Sequence, residues 1–106
     1  MSLKITLFCN AGMSTSLLVN AMRKAAAIQG KDYEIEAFSL TQVQSEGPKA
    51  DVILIGPQVR HALNRVKACV PESIPVEPIE MRMYGLMDGK GVLAAAEKLL
   101  KESGKI

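Results

Sequence analysis

Lys4-Ile5-Thr6-Leu7-Phe8-Cys9-Asn10-Ala11-Gly12-Met13-Ser14-Thr15-Ser16-Leu17-Leu18-Val19-Asn20-Ala21-Met22 runs from a β-rich apolar segment, through a loop of small residues, into a helical pattern. Residues 3 to 8 read as a central strand. From about Ser16 to Gln29 the apolar positions Leu17, Leu18, Ala21, Met22, Ala25 and Ile28 recur at helical spacing. Ser14, Thr15 or Ser16 can cap that helix, and Gly30 can stop it. Cys9 therefore sits at the junction of strand and loop. Loop N–H groups can converge there on an anion, and the helix adds unpaired amides and the positive end of its dipole. The same field favours thiolate over thiol and makes the cysteine a nucleophile near neutral pH. The stretch suits a phosphoryl group carried on sulfur.

The rest of the chain alternates strands with helices. Tyr33-Glu34-Ile35-Glu36-Ala37 alternates apolar and polar residues, as a strand exposed on one face does. Residues 39 to 50 are polar, with room for a turn or two of helix over 40 to 46 before Gly47-Pro48 breaks it. Val52-Ile53-Leu54-Ile55 is a continuous β-branched and aliphatic run, the pattern of a parallel strand covered on both faces. Gly56-Pro57 ends it and opens a helix whose stripe is Val59, Ala62, Leu63, Val66, Cys69 and Val70, stopped by Pro71. Ile74 to Ile79 holds a short strand that Pro75 and Pro78 confine to a sheet edge. Residues 80 to 87 read as a loop. Asp88 caps a final helix bearing Val92, Leu93, Ala96, Leu99 and Leu100, which ends near Gly104.

This order predicts an α/β, three-layer sandwich: a four-stranded parallel sheet, strand order 2-1-3-4, with helices on both faces in a flavodoxin-like, phosphatase-loop topology. Its topological switch lies between strands 1 and 3, where ligands bind beyond the carboxyl ends of the strands. Cys9 follows the first strand and Gly56-Pro57-Gln58 follows the third, so the two segments are expected to be neighbours.

With 106 residues the chain reads as one domain, 1–106, large enough for its own core. The net charge of +2 is small and the Lys and Arg residues are interspersed with acids, which speaks against nucleic acid as a partner. No apolar stretch is long enough to span a bilayer, and Lys4 with the Cys9 loop interrupts any signal-like run. Two cysteines in such a chain read as reduced thiols in the cytoplasm. No metal or cofactor is expected, because no cluster of His, Cys and Asp has ligand spacing.

Two reaction types share a cysteine opening a phosphate-sized loop. Low-molecular-weight tyrosine phosphatases place an Arg six residues after the Cys, where it forks onto the phosphate and stabilises hydrolysis. Here that position is Thr15, and no Arg or Lys lies between Asn10 and Ser16. The hydroxyls of Ser14, Thr15 and Ser16, together with loop amides, can hold a phosphoryl group without a side-chain cation. A cysteine phosphatase or arsenate reductase is thus the first rival reading. A flavodoxin-like binding module without covalent chemistry is the second. Cys69 lies on an apolar helical stripe and reads as packing, His61 as a solvated side chain, and Met81, Met83 and Met87 as core or rim filler near the active edge.

Phe8-Cys9-Asn10-Ala11-Gly12-Met13-Ser14-Thr15-Ser16-Leu17-Leu18-Val19 resembles the active-site loop of the IIB component of the bacterial phosphoenolpyruvate-dependent sugar phosphotransferase system, lactose/cellobiose/chitobiose type. The resemblance extends to residues 50–58, to Tyr84-Gly85, and to Asp88-Gly89 with its helix. It implies that Cys9 accepts phosphate from a histidine of the IIA component and passes it to a sugar entering through the IIC membrane permease. It further implies that Asn10, Ala11, Gly12, Met13, Ser14, Thr15 and Ser16 bind the phosphate, and that Pro57, Gln58 and Tyr84 belong to the partner-facing or active edge. The carrier is expected to be a monomer that docks two partners in turn.

Overall fold

Neighbouring residues on the two central strands point to opposite sides, and both sides are apolar. In β1 (Leu3–Cys9), Ile5 and Leu7 enter one cluster of buried side chains and Phe8 enters another. In β3 (Val52–Ile55), Val52 and Leu54 join the first cluster, Ile53 and Ile55 the second. A strand buried on both faces needs helices on both faces. The computed structural model, which describes residues 2–10 and 12–106, supplies them.

The sheet has four strands in the order β2-β1-β3-β4, all pairs parallel, as the sequence predicts. β2 (Tyr33–Ser39) and β4 (Val76–Pro78) are the edges. α1 (Gly12–Ile28) and α5 (Gly89–Glu102) cover the first face through Leu18, Met22, Val92, Leu93, Ala96 and Leu100. The second face is covered through Val43 of α2 (Val43–Glu46), Val59, and Val66 of α3 (Leu63–Ala68). Gly30, at φ +68°, ends α1 with the Lys31 N–H donating to Ala26 O at 2.9 Å, as a left-handed C-terminal glycine does. Asp88 caps α5 by accepting from the Gly91 N–H at 2.9 Å.

Four local expectations are corrected. α1 begins at Gly12 rather than near Ser16, so Ser14, Thr15 and Ser16 lie inside the helix and are not its cap. A glycine at the first helical position loses no intrahelical N–H bond, so little opposes the earlier start. The segment after β3 is not one helix. Pro57–Ala62 forms a tight 3-10 turn, kinked at Val59, before α3. Val59 has non-helical backbone angles (φ −121°, ψ 22°), so the apolar stripe read from the sequence is broken there although Pro57, Val59 and Ala62 are all buried. Residues 39 to 50 hold more helix than expected, with 3-10 turns at Leu40–Gln42 and Gly47–Lys49 flanking α2. The loop expected over 80 to 87 contains a helix, α4 (Met81–Gly85). Five residues are too few for a periodic pattern to show; burial of Tyr84 in the first cluster anchors the turn instead.

Candidate functional site

The order of the strands brings the ends of β1 and β3 together. Gly56 N–H donates to Phe8 O at 2.9 Å. A Cβ on Gly56 would stand in ordinary contact, 3.4 Å from Cys9 Cβ and 3.4 Å from Gln58 Oε1, so the second loop lies directly against Cys9. Pro57 is buried, whereas Gln58 is exposed beside that contact.

Cys9 closes β1 opposite Ser39 of β2 and is only 5% exposed. It nevertheless lines a depression of about 160 Å3, together with Asn10, Ser16, Ala37, Phe38, Ser39 and Gln42. None of these side chains is charged. α1 starts three residues after Cys9, so the helix N-terminal amides and the positive dipole end lie at the same end of the sheet.

Ser39 and Gln42 were not singled out by the sequence reading. They form a reciprocal cap: Thr41 N–H donates to Ser39 Oγ at 3.3 Å, and Ser39 N–H donates to Gln42 Oε1 at 3.3 Å. A Ser followed three residues later by Gln is the capping-box pattern, and that spacing was the available signal. The cap holds both side chains at the rim of the Cys9 depression.

The residues expected to bind phosphate divide in the structure. Asn10 and Ser16 reach the depression. Thr15 turns inward: it is 1% exposed, and its Oγ1 lies 3.3 Å from the Tyr84 hydroxyl, which is itself buried. Gly12, Met13 and Ser14 lie in the first turn of α1; Ala11, and the side chains of Met13 and Ser14, fall outside the described residues. His61 is exposed, and Cys69 is partly buried against the second cluster. Met81 is exposed, while Met83 and Met87 pack on the first cluster. Among the described residues, no helix is long and apolar enough to cross a membrane.

A parallel 2-1-3-4 sheet with a cysteine at the carboxyl end of its first strand, opening onto a helix N-terminus, defines the flavodoxin-like, phosphatase-loop class of α/β proteins. Within that class the relatives are specific. Residues 4–95 match the family model "PTS system, Lactose/Cellobiose specific IIB subunit", and the chain belongs to that family. It is 49% identical over 102 residues to the galactose-specific EIIB component of Lactococcus lactis subsp. cremoris, covering 91% of this chain and 94% of that one. The same identity and coverage hold for the cellobiose-specific EIIB component of Lactococcus lactis subsp. lactis. The oligo-beta-mannoside-specific EIIB component of Bacillus subtilis is 40% identical over 98 residues, with 92% and 95% of the two chains covered. The solution structure of the cellobiose-specific IIB component from Borrelia burgdorferi superposes with a TM-score of 0.81 at 36% identity, over 97% and 95% of the chains. The lactose-specific IIB domain from Streptococcus pneumoniae gives a TM-score of 0.81 at 18% identity, over 92% and 97%, a likeness of fold.

Proposed function

We propose that Cys9 is the phosphoryl-carrying residue of this IIB component. Its thiolate attacks the phosphorus of a phosphohistidine on the IIA component; the S–P bond forms, the P–N bond breaks with its electron pair staying on the ring, and the imidazole, already protonated on its other nitrogen, leaves neutral. A hydroxyl of a β-linked disaccharide, of cellobiose, chitobiose or lactose type, then attacks the same phosphorus at the IIC permease. The S–P bond breaks, the thiolate is regenerated, and the hydroxyl proton goes to a base outside this chain. Backbone amides from Asn10 to Ser16 bind the equatorial oxygens, while Gln58 lies at the edge the partners approach. Positioning and charge stabilisation dominate phosphoryl transfer, so few catalytic side chains are needed. The protein works in this reading as a cytoplasmic monomer.

The observation that carries the proposal is the uncharged lining around Cys9. Amides and hydroxyls can hold a phosphoryl group on sulfur, but hydrolysis by the phosphatase route calls for a cation six residues on. Thr15 occupies that position with its hydroxyl against Tyr84, inside the protein. A relative named for galactose and one named for cellobiose are equally similar to this chain, so overall identity does not select the sugar.

The test is phosphoryl transfer from phosphoenolpyruvate, through the general enzymes and IIA, followed by mass mapping. Wild type should gain one phosphate on Cys9, Cys9→Ser should gain none while staying folded, and Cys69→Ala should be labelled normally. Label elsewhere, or labelled Cys9→Ser, would exclude the proposal. Rapid release of phosphate from an aryl phosphate would favour the phosphatase reading, and no labelling at all the non-covalent binding module.

A further inference from the structure

We infer that Tyr84 is a positioning residue for the Cys9 reaction: its hydroxyl, paired with that of Thr15, holds the first turn of α1 against α4. The inference rests on the phosphocarrier reading of Cys9 and assigns Tyr84 a role different from contact with a partner. Three observations converge. Tyr84 and Thr15 are 8% and 1% exposed, so neither hydroxyl is offered to an incoming group. Their oxygens lie 3.3 Å apart, joining residues separated by 69 positions in sequence. Thr15 is the fourth residue of α1, in the turn whose N–H groups have no carbonyl partner within a helix.

Those N–H groups are where a phosphoryl group on Cys9 would be held, so their position sets the geometry of in-line transfer. A single-turn helix such as α4 has little rigidity of its own. It is fixed by burying the Tyr84 ring in the first cluster and by the tight link to α5, where Asp88 N–H donates to Met83 O at 2.9 Å. Gly89, next in the chain, sits against Ala21 of α1: a Cβ there would lie 2.6 Å from both Ala21 Cβ and Ala21 O. α1 is thus clamped to the α4–α5 unit at two levels, one turn of it through Thr15 and a later one through Ala21. The upper clamp is the one that reaches the Cys9 end. The pair also uses the hydroxyl of Thr15 for a structural bond, so Thr15 acts through the helix and does not bind phosphate itself.

Two readouts test this: single-turnover transfer from phosphorylated IIA, and the pH midpoint for alkylation of Cys9 by iodoacetamide, followed by mass mapping. Tyr84→Phe keeps the ring and removes only the hydroxyl; Thr15→Val removes its partner. Each should slow transfer at saturating IIA by about tenfold, with little change in KM for IIA, and raise the alkylation midpoint. The double variant should be no slower than either single one, and Thr15→Ser, which keeps the hydroxyl, should stay within about twofold of wild type. Normal rate and midpoint per folded molecule in Tyr84→Phe would overturn the inference and leave the tyrosine a packing residue. Loss in Thr15→Val but not in Tyr84→Phe would overturn it too, by showing that Thr15 acts directly on phosphate. If wild type takes no phosphoryl group from IIA, the carrier reading fails, while the alkylation midpoints still decide whether the hydroxyl pair tunes Cys9.

Discussion

Thr6 lies in the middle of β1, fully buried, and its Oγ1 finds no hydrogen-bond partner among the described residues. An unsatisfied buried hydroxyl costs on the order of 1–3 kcal/mol relative to one that is paired. Valine has nearly the same shape without that oxygen. Thr6→Val is therefore expected to raise stability by about 1 kcal/mol, read as a higher urea midpoint at unchanged slope; a lower midpoint would show that the hydroxyl has a partner in solution. Thr15 is the contrasting case, since its hydroxyl meets that of Tyr84. The sequence reads Thr6 as a strand residue and Thr15 as a cap or phosphate-binding hydroxyl, and shows neither fate. What separates them is a tyrosine 69 positions away from Thr15, which no local pattern links to it. Cys9 is different again. Its chemistry was legible because the strand before it, the small residues after it and the helical stripe beyond are all local features.

Elements with a long or continuous apolar pattern were legible for the same reason. β3 coincides with the apolar run Val52–Ile55, and all five stripe residues of the last helix are buried. Short elements were not. α4 spans five residues and is held in place by Tyr84, so its cause is tertiary. The contact between α1 and α5 is also invisible in one dimension, yet it sets a sharp limit on Gly89. An added Cβ would overlap Ala21 at 2.6 Å from its Cβ and its carbonyl oxygen, and helix backbone cannot swing aside as a flexible side chain can. Gly89→Ala should cost about 3 kcal/mol and separate the two helices. Urea unfolding measures it. A variant as stable as wild type would mean that the helices part without penalty.

At the scale of the whole molecule, polar ties join layers that are far apart in sequence. Arg23 of α1 donates through Nε and Nη2 to Ile35 O on the edge strand β2, at 3.0 and 2.7 Å. Such a tie pins the exposed strand to the helix above it. Tyr33, at the start of the same strand, donates to Glu97 Oε2 of α5 at 2.6 Å. Burial first, then the bond to Glu97 and its negative charge, push the Tyr33 phenol up from 10.0 to about 12. The raised value means that the folded state prefers the neutral phenol. The tie is thus fully present below pH 10 and fades as pH rises through about 12. Unfolding measured between pH 9 and about 12 should show a steeper loss in wild type than in Tyr33→Phe; parallel curves would refute the coupling. Strand order and the place of Cys9 follow from local pattern alone, because period, β-branching and breaker residues act over a few neighbours and parallel crossovers leave few topologies. That Thr15 faces Tyr84, that Ser39 and Gln42 rim the depression, and that α1 lies hard against Gly89 follows from the folded chain and from no local pattern. Those contacts join residues distant along the chain, and their geometry exists only once both faces of the sheet are covered.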